Sequence, residues 1–195
     1  MVMRIPSIPE DILIEAYSQG IFPMGMSNGE IGWFSPDPRG VIPLDDGFHI
    51  PHGLRKVLKK KPFELRVNTA FETVMRACAD RNETWITDGI IESYCRLHER
   101  GLAHSVETWR DNELVGGLYG VALGGAFFGE SMFSRTTDAS KVALCHLVEL
   151  LRANGFTLLD TQWVTPHLQT FGAKEIPRPH YLRLLEKALN QPAKL

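Results

Sequence analysis

The span Leu114–Gln162 constrains the fold more than any other part of the chain. It opens with two glycine-bearing apolar runs, passes through the polar block Gly129-Glu-Ser-Met-Phe-Ser134, and continues into a long amphipathic run. It closes on Phe156–Gln162, an apolar segment carrying an acid and an amide two positions apart. A short apolar run directly after the turn residues Asn154-Gly155 fits a strand buried on both faces and paired parallel to a neighbour. The order predicts a floor of strands crossed by a helix, with a polar pocket opening at one end.

The flanking sequence extends this pattern. Ser7-Ile-Pro-Glu10 has the form of a capping box, followed by Ile12, Leu13, Ala16 and Tyr17 at helical spacing until Gly20. Residues 21–53 are rich in Pro and Gly and read as a mainly irregular or short-stranded stretch. This sets a small N-terminal unit, 1–50, before a larger domain, 51–195. Phe63, Leu65 and Val67 alternate with polar residues as in a strand, and Thr69-Ala-Phe-Glu72 offers a second capping box for a helix to about Asp80. Asp88–Arg100 reads as a helix stopped by Gly101. Ala103–Arg110, Glu113–Leu123 and Ala126–Phe133 read as strands, with Asp111-Asn112 as a hairpin turn. Asp138 is placed to cap the next helix, and Tyr181–Leu189 forms the last one. The resulting order, β-α-α-β-β-β-α-β-α, resembles that of the GCN5-related N-acetyltransferase fold, which makes the expected class α/β (α+β).

Composition sets limits on function. Hydrophobic residues make up 44% and charged residues 23% of the 195, with a net charge of −2, so bulk charge does not favour a polyanion. No apolar stretch approaches the ~20 residues of a membrane span, and the N-terminus lacks a secretory h-region. Three widely spaced cysteines, Cys78, Cys95 and Cys145, suit reduced core thiols and form no CxxC metal pair. The expectation is a cytoplasmic protein without a metal or cofactor.

Asp160 and Gln162, at i and i+2 of a strand, are expected on one face, with Thr161 on the other. A carboxylate following Phe156–Leu159 is expensive if buried alone, so it either caps a loop or lines a polar cavity. In a cavity it steers, or takes a proton from, an incoming nucleophile while the amide holds that nucleophile. Glu130, among Phe127, Phe128, Met132 and Phe133, can reach the same pocket, and two carboxylates without a lysine favour a cationic ligand. Arg55, Lys56, Lys59, Lys60 and Lys61 concentrate five cations within residues 52–61, either as a solvated face or as a grip on phosphates. His104 and His167 read as structural, the latter in the loop beside the site.

Nine motifs then occur in one family's order: AYSQGIFP (16–23), WFSPDPRG (33–40), TWIT (84–87), LHERGLAHSVETW (97–109), ELVGGLYGVALG (113–124), GESMFS (129–134), DASKVAL (138–144), DTQ (160–162) and FGAKEIPRPHY (171–181). The chain resembles the leucyl/phenylalanyl-tRNA–protein transferases from about Tyr17 to Tyr181. The resemblance implies transfer of Leu, Phe and less readily Met from aminoacyl-tRNA to proteins beginning with Arg or Lys, marking them for degradation. It implies catalytic roles for Asp160 and Gln162, a pocket glutamate at Glu130, a substrate-binding tryptophan at Trp85 and a side-chain pocket of Phe127, Met132 and Leu147. The chain departs from the family at Phe34 and Met24, where tryptophans are usual, and the family's GGDL-containing stretch ahead of the first motif is missing. With an RNA substrate, the 3′-adenosine could stack on Trp33 or Phe34, and the basic run becomes the tRNA grip.

An aminoacyl ester is already activated, so no covalent nucleophile is needed, and no Ser-His-Asp or Cys-His pattern stands out. Asp160 is expected to orient Gln162 and draw the proton. Glu130 is expected to meet the acceptor's cationic side or its amine. The rival enzyme is a CoA-dependent acetyltransferase of the same fold, disfavoured by the glycine-free turn Ser134–Ser140. The rival of another class is a non-catalytic reader of basic N-termini. A monomer is expected.

Overall fold

The computed structural model of the chain describes residues 7–195. A seven-stranded sheet runs in the order β4-β5-β6-β7-β8-β3-β9, and a separate two-stranded hairpin, β1-β2, stands beside it. The large sheet comprises β3 (Arg39–Ile42), β4 (Glu64–Val67), β5 (Ala103–Arg110), β6 (Glu113–Leu123), β7 (Ala126–Ser134), β8 (Leu158–Gln162) and β9 (Lys174–Ile176). All neighbours pair antiparallel except β7 and β8, which run parallel, as the apolar segment after Asn154-Gly155 predicts. The Asp111-Asn112 turn has φ of +52° and +64°, the left-handed pair a two-residue hairpin requires.

β6 is buried along almost its whole length because helices cover both faces. Tyr119, Val121 and Leu123 pack in one apolar cluster with Phe71, Val74, Met75 and Cys78 of α3 (Phe71–Ala79). Leu118 and Ala122 point the other way, into a second cluster with Val142, Leu144, Leu147 and Leu151 of α5 (Ala139–Ala153). α1 (Glu10–Ser18), α4 (Asp88–Glu99) and α7 (Arg178–Leu189) add to the first cluster. α6 (Pro166–Gln169) is a single turn.

Several local expectations change. The stretch 21–53 is short-stranded as expected, with β1 (Phe22–Gly25), β2 (Ile31–Phe34) and β3 of four residues each. β3 lies inside the large sheet between β8 and β9, so the stretch assigned to a small unit of residues 1–50 supplies a strand to the main body. The basic run 52–61 forms a helix, α2 (His52–Lys60), which buries Leu54 and leaves Arg55, Lys56, Lys59, Lys60 and Lys61 exposed. None of the three proposed caps acts as one. α1 begins after Pro9 without a side-chain cap, and Asp138 takes φ +66° and pairs with Lys141 at 2.7 Å.

Thr69 is drawn away from its helix by a stronger partner. Its hydroxyl donates to Glu107, a carboxylate buried in β5, which also accepts from Thr69 N (2.9 Å), Ala70 N (2.8 Å), Ser105 Oγ (2.8 Å) and Trp109 Nε1 (3.0 Å). Burial alone would raise the Glu107 pKa; the donors, Thr69 and Ser105 foremost, outweigh it and hold the carboxyl below the usual range. Glu107→Ala strands these donors and is expected to lose ~3 kcal/mol of stability in urea unfolding at pH 7. Because the folded-state pKa is depressed, the wild-type advantage should be full above pH ~4.5 and vanish as pH falls through the folded value.

Candidate active site

The site forms where β7 and β8 separate. Their parallel pairing ends at Phe128↔Asp160, and beyond it each strand carries one unmatched residue. On β7, Tyr119 of β6 faces Ser131 while Gly120 faces Gly129, leaving Glu130 without a partner. On β8, Gly40 of β3 faces Gln162 while Val41 faces Asp160, leaving Thr161 unmatched. Bulges re-aim side chains and end pairing. Here two of them flank a cavity of about 300 Å³.

The cavity has an aliphatic wall and a polar side. Ile42, Leu118, Met132, Leu144, Leu147 and Leu159 provide the first; Glu130, Ser131, Thr161, Gln162 and Arg81 the second. Tyr119, Trp85, Met24 and Trp163 also line it. Glu130 Oε1 accepts from Tyr17 Oη at 2.6 Å and from Gln162 Nε2 at 3.1 Å, and Tyr17 in turn hydrogen-bonds Tyr94. Burial pushes the Glu130 carboxyl up to about 8, against the Tyr17 hydrogen bond and with the Asp160 charge adding to the rise. The Tyr119 hydroxyl is buried and finds no protein partner.

Asp160 does not face this cavity, contrary to the spacing argument. Thr161 is the extra residue, so the two-residue period breaks between Asp160 and Gln162. Gln162 turns into the cavity with φ +59°, a conformation rare for a non-glycine residue. Asp160 points to the opposite side and is fully buried. Its carboxylate accepts from Arg39 Nε (3.0 Å), Arg39 Nη2 (2.7 Å), Tyr181 Oη (2.5 Å) and the Gln162 backbone N–H (2.8 Å). It is a fixed counter-charge that pins the turn at Gln162, with no free route to a substrate proton.

Arg39, which the sequence showed only as the end of a motif, is also fully buried. Its guanidinium lies 4.9 Å from the Phe22 ring centroid and 4.5 Å from that of Tyr181, and it donates to Gly20 O at 2.9 Å. Gly40 follows because a Cβ there would sit 2.6 Å from the Trp163 carbonyl carbon.

Of the other expected residues, Met132, Leu147 and Trp85 line the cavity. Phe127 does not: it is fully buried within the same apolar cluster as Leu147. Trp33 and Phe34 also lie outside the lining. Trp33 is exposed, and Phe34 stacks on Phe22 and meets the edge of Trp163. Trp163 and Arg81 escaped sequence reasoning because neither stands at a motif position that marks it. His104 is structural, held between Asn68 and Gly101, whereas His167 reaches the lining. In the turn Ser134–Ser140, Arg135 N and Thr136 N donate to Val115 O, Ala139 N to Thr136 O and Ser140 N to Ser134 Oγ. Among the described residues no group of three metal-ligating side chains forms, and no helix is long and apolar enough to cross a membrane.

The leucyl/phenylalanyl-tRNA protein transferase family model matches residues 41–186, and the model of its N-terminal domain matches 9–37. A leucyl/phenylalanyl-tRNA–protein transferase of Herpetosiphon aurantiacus is 59% identical over 178 residues, covering 91% of this chain and 93% of that protein. One from Akkermansia muciniphila is 58% identical over 185 residues, covering 93% and 96%. Solved structures give distant likenesses. L-PGS from Bacillus licheniformis has a TM-score of 0.43 at 14% identity, over 83% of this chain and 55% of that one. A GCN5-related N-acetyltransferase-like protein from Streptococcus suis has a TM-score of 0.40 at 13% identity, over 85% and 63%. The family match makes this an aminoacyltransferase. The chain belongs to the leucyl/phenylalanyl-tRNA–protein transferase family.

Arg39→Met leaves the Asp160 carboxylate buried and unpaired, and is expected to cost ~3–5 kcal/mol in urea unfolding. Arg39→Met with Asp160→Leu should recover part of that stability but not the turnover, because Gln162 loses its hold. Recovery of both would show that Asp160 has no positioning role.

Proposed function

We propose that the chain moves Leu or Phe, and less readily Met, from aminoacyl-tRNA to the N-terminal Arg or Lys of acceptor proteins, tagging them for degradation. The observation that carries this reading is Glu130 and Gln162 hydrogen-bonded to each other at the edge of an aliphatic cavity. The wall of Leu118, Met132, Leu144, Leu147 and Leu159 suits an unbranched or γ-branched side chain. Such pockets separate near-isosteres by only ~1–3 kcal/mol per methylene, so some Met transfer accompanies Leu and Phe. Every group named comes from one chain, so a monomer suffices. The reaction belongs in the cytoplasm, where charged tRNA is available, and Arg55, Lys56, Lys59, Lys60 and Lys61 on the exposed face of α2 supply cations for tRNA phosphates.

In this reading the acceptor's α-amine is held by Gln162 and attacks the ester carbonyl. A new C–N bond forms as the amine proton passes to Glu130, and the C–O bond to ribose breaks as Glu130 returns that proton to the leaving oxygen. An α-amino group has a pKa of about 8, so it and Glu130 are matched for proton exchange near neutral pH. Asp160 contributes by position alone.

Wild-type protein incubated with labelled Leu-tRNA and an Arg-initiated peptide should transfer label; peptide binding without transfer would favour a reader, and acetyl-CoA consumption an acetyltransferase. Gln162→Ala should cut kcat ~10²-fold or more with little change in donor KM. As pH rises through about 8, Glu130 ionises. Wild-type log kcat/KM should therefore climb with a slope near two below that pH, one proton from Glu130 and one from the amine. Glu130→Gln should reduce the slope to about one; an unchanged slope would remove Glu130 from the proton path.

A further inference from the structure

Arg81 is the cavity-lining side chain that carries a permanent positive charge among the described residues, and neither the aliphatic wall nor the Glu130–Gln162 pair uses it. It follows α3 and is strapped across to β7: Nε donates to Cys78 O at 2.7 Å, and Nη2 to Ser131 Oγ at 3.1 Å and Met132 O at 3.3 Å. These acceptors are all neutral. Arg81 has no carboxylate within ion-pair distance among the described residues, and its Nη1 has no protein partner there. The result is an exposed, anchored guanidinium with its charge unneutralised, beside Glu130's neighbours Ser131 and Met132.

We propose that Arg81 binds the phosphate joining the aminoacylated nucleotide of the donor to the nucleotide before it. This rests on the aminoacyl-tRNA donor proposed above. When the amino acid occupies the aliphatic wall and its ester lies at Glu130 and Gln162, the nearest anion the donor can present is that single phosphodiester. A guanidinium fixed at Nε and Nη2 leaves its Nη1 edge ready for a charge-assisted hydrogen bond at small entropic loss. The arrangement reads no base; it sets how far the donor's backbone lies from the ester.

The test compares three donors with an Arg-initiated peptide as acceptor: Leu-tRNA, 3′-O-leucyl-adenosine 5′-phosphate, and 3′-O-leucyl-adenosine, which has no phosphate. Arg81→Ala should raise KM about tenfold for both phosphate-bearing donors and leave leucyl-adenosine unchanged. Arg81→Lys should recover part of the loss, and the slope of log KM against log salt for Leu-tRNA should fall by about one in Arg81→Ala. Arg81→Gln serves as a second uncharged variant if Arg81→Ala does not fold. Equal losses with all three donors would mean that Arg81 only straps α3 to β7, and no loss with any would equally overturn the proposal. Wild-type protein inert with every donor would sink the transferase reading itself; wild-type transfer with a donor-independent Arg81 effect sinks only this inference.

Discussion

The buried pair of Arg39 and Asp160 is the contact on which the site's geometry depends. Both side chains are out of water, and the desolvation of two charges is offset because every guanidinium nitrogen of Arg39 and both carboxylate oxygens of Asp160 have a partner. Asp160 accepts four hydrogen bonds, and Arg39 is enclosed by the Phe22 and Tyr181 rings and Gly20 O. The pair thereby joins β3, β8, α7 and the segment after α1. Loss of either partner leaves a naked charge in the core, so these elements hold their relative positions together.

That fixed frame allows two irregularities beside it. Glu130 and Thr161 are single unmatched residues on adjacent strands, and the strands part just past the last parallel pair. Gln162 tolerates a left-handed backbone because its N–H is held by Asp160 and because Gly40 leaves room for the turn. The site thus contains two carboxylates with opposite fates. Asp160 is paired with Arg39 at 2.7 Å, while Glu130 sits beside phenols instead of a guanidinium, and desolvation pushes its carboxyl up to about 8. One carboxylate is architectural and the other is free for chemistry.

Much of the fold was legible because it rests on local patterns. Continuous apolar runs marked β6 and β8, the period of Val142–Leu151 marked α5, and Asp111-Asn112 marked its turn. The capping boxes misled because Thr69 found a buried carboxylate 38 residues away, a competition no local pattern reveals. β3 was missed because a four-residue strand between prolines has too few positions to show a period. At the site, Glu130, Gln162, Met132, Leu147 and Trp85 were found from types and motifs. Asp160 was expected to orient Gln162 and draw the proton; it holds the Gln162 backbone N–H but turns its carboxylate to Arg39 and Tyr181. Phe127 was placed in a wall it does not form, and Trp33 and Phe34, expected to stack the 3′-adenosine, lie outside the lining.

The amino-acid order alone determined the strands β4–β8, the helices α1, α3, α4, α5 and α7, the parallel entry of β8 and the residue types gathered near the cavity, since these follow from hydrophobic periodicity and turn chemistry along the chain. Which carboxylate faces the cavity was decided only in three dimensions. A single extra residue in β8 reverses the side on which its neighbours lie, and whether that residue is accommodated depends on Arg39 and Gly40, more than a hundred positions earlier.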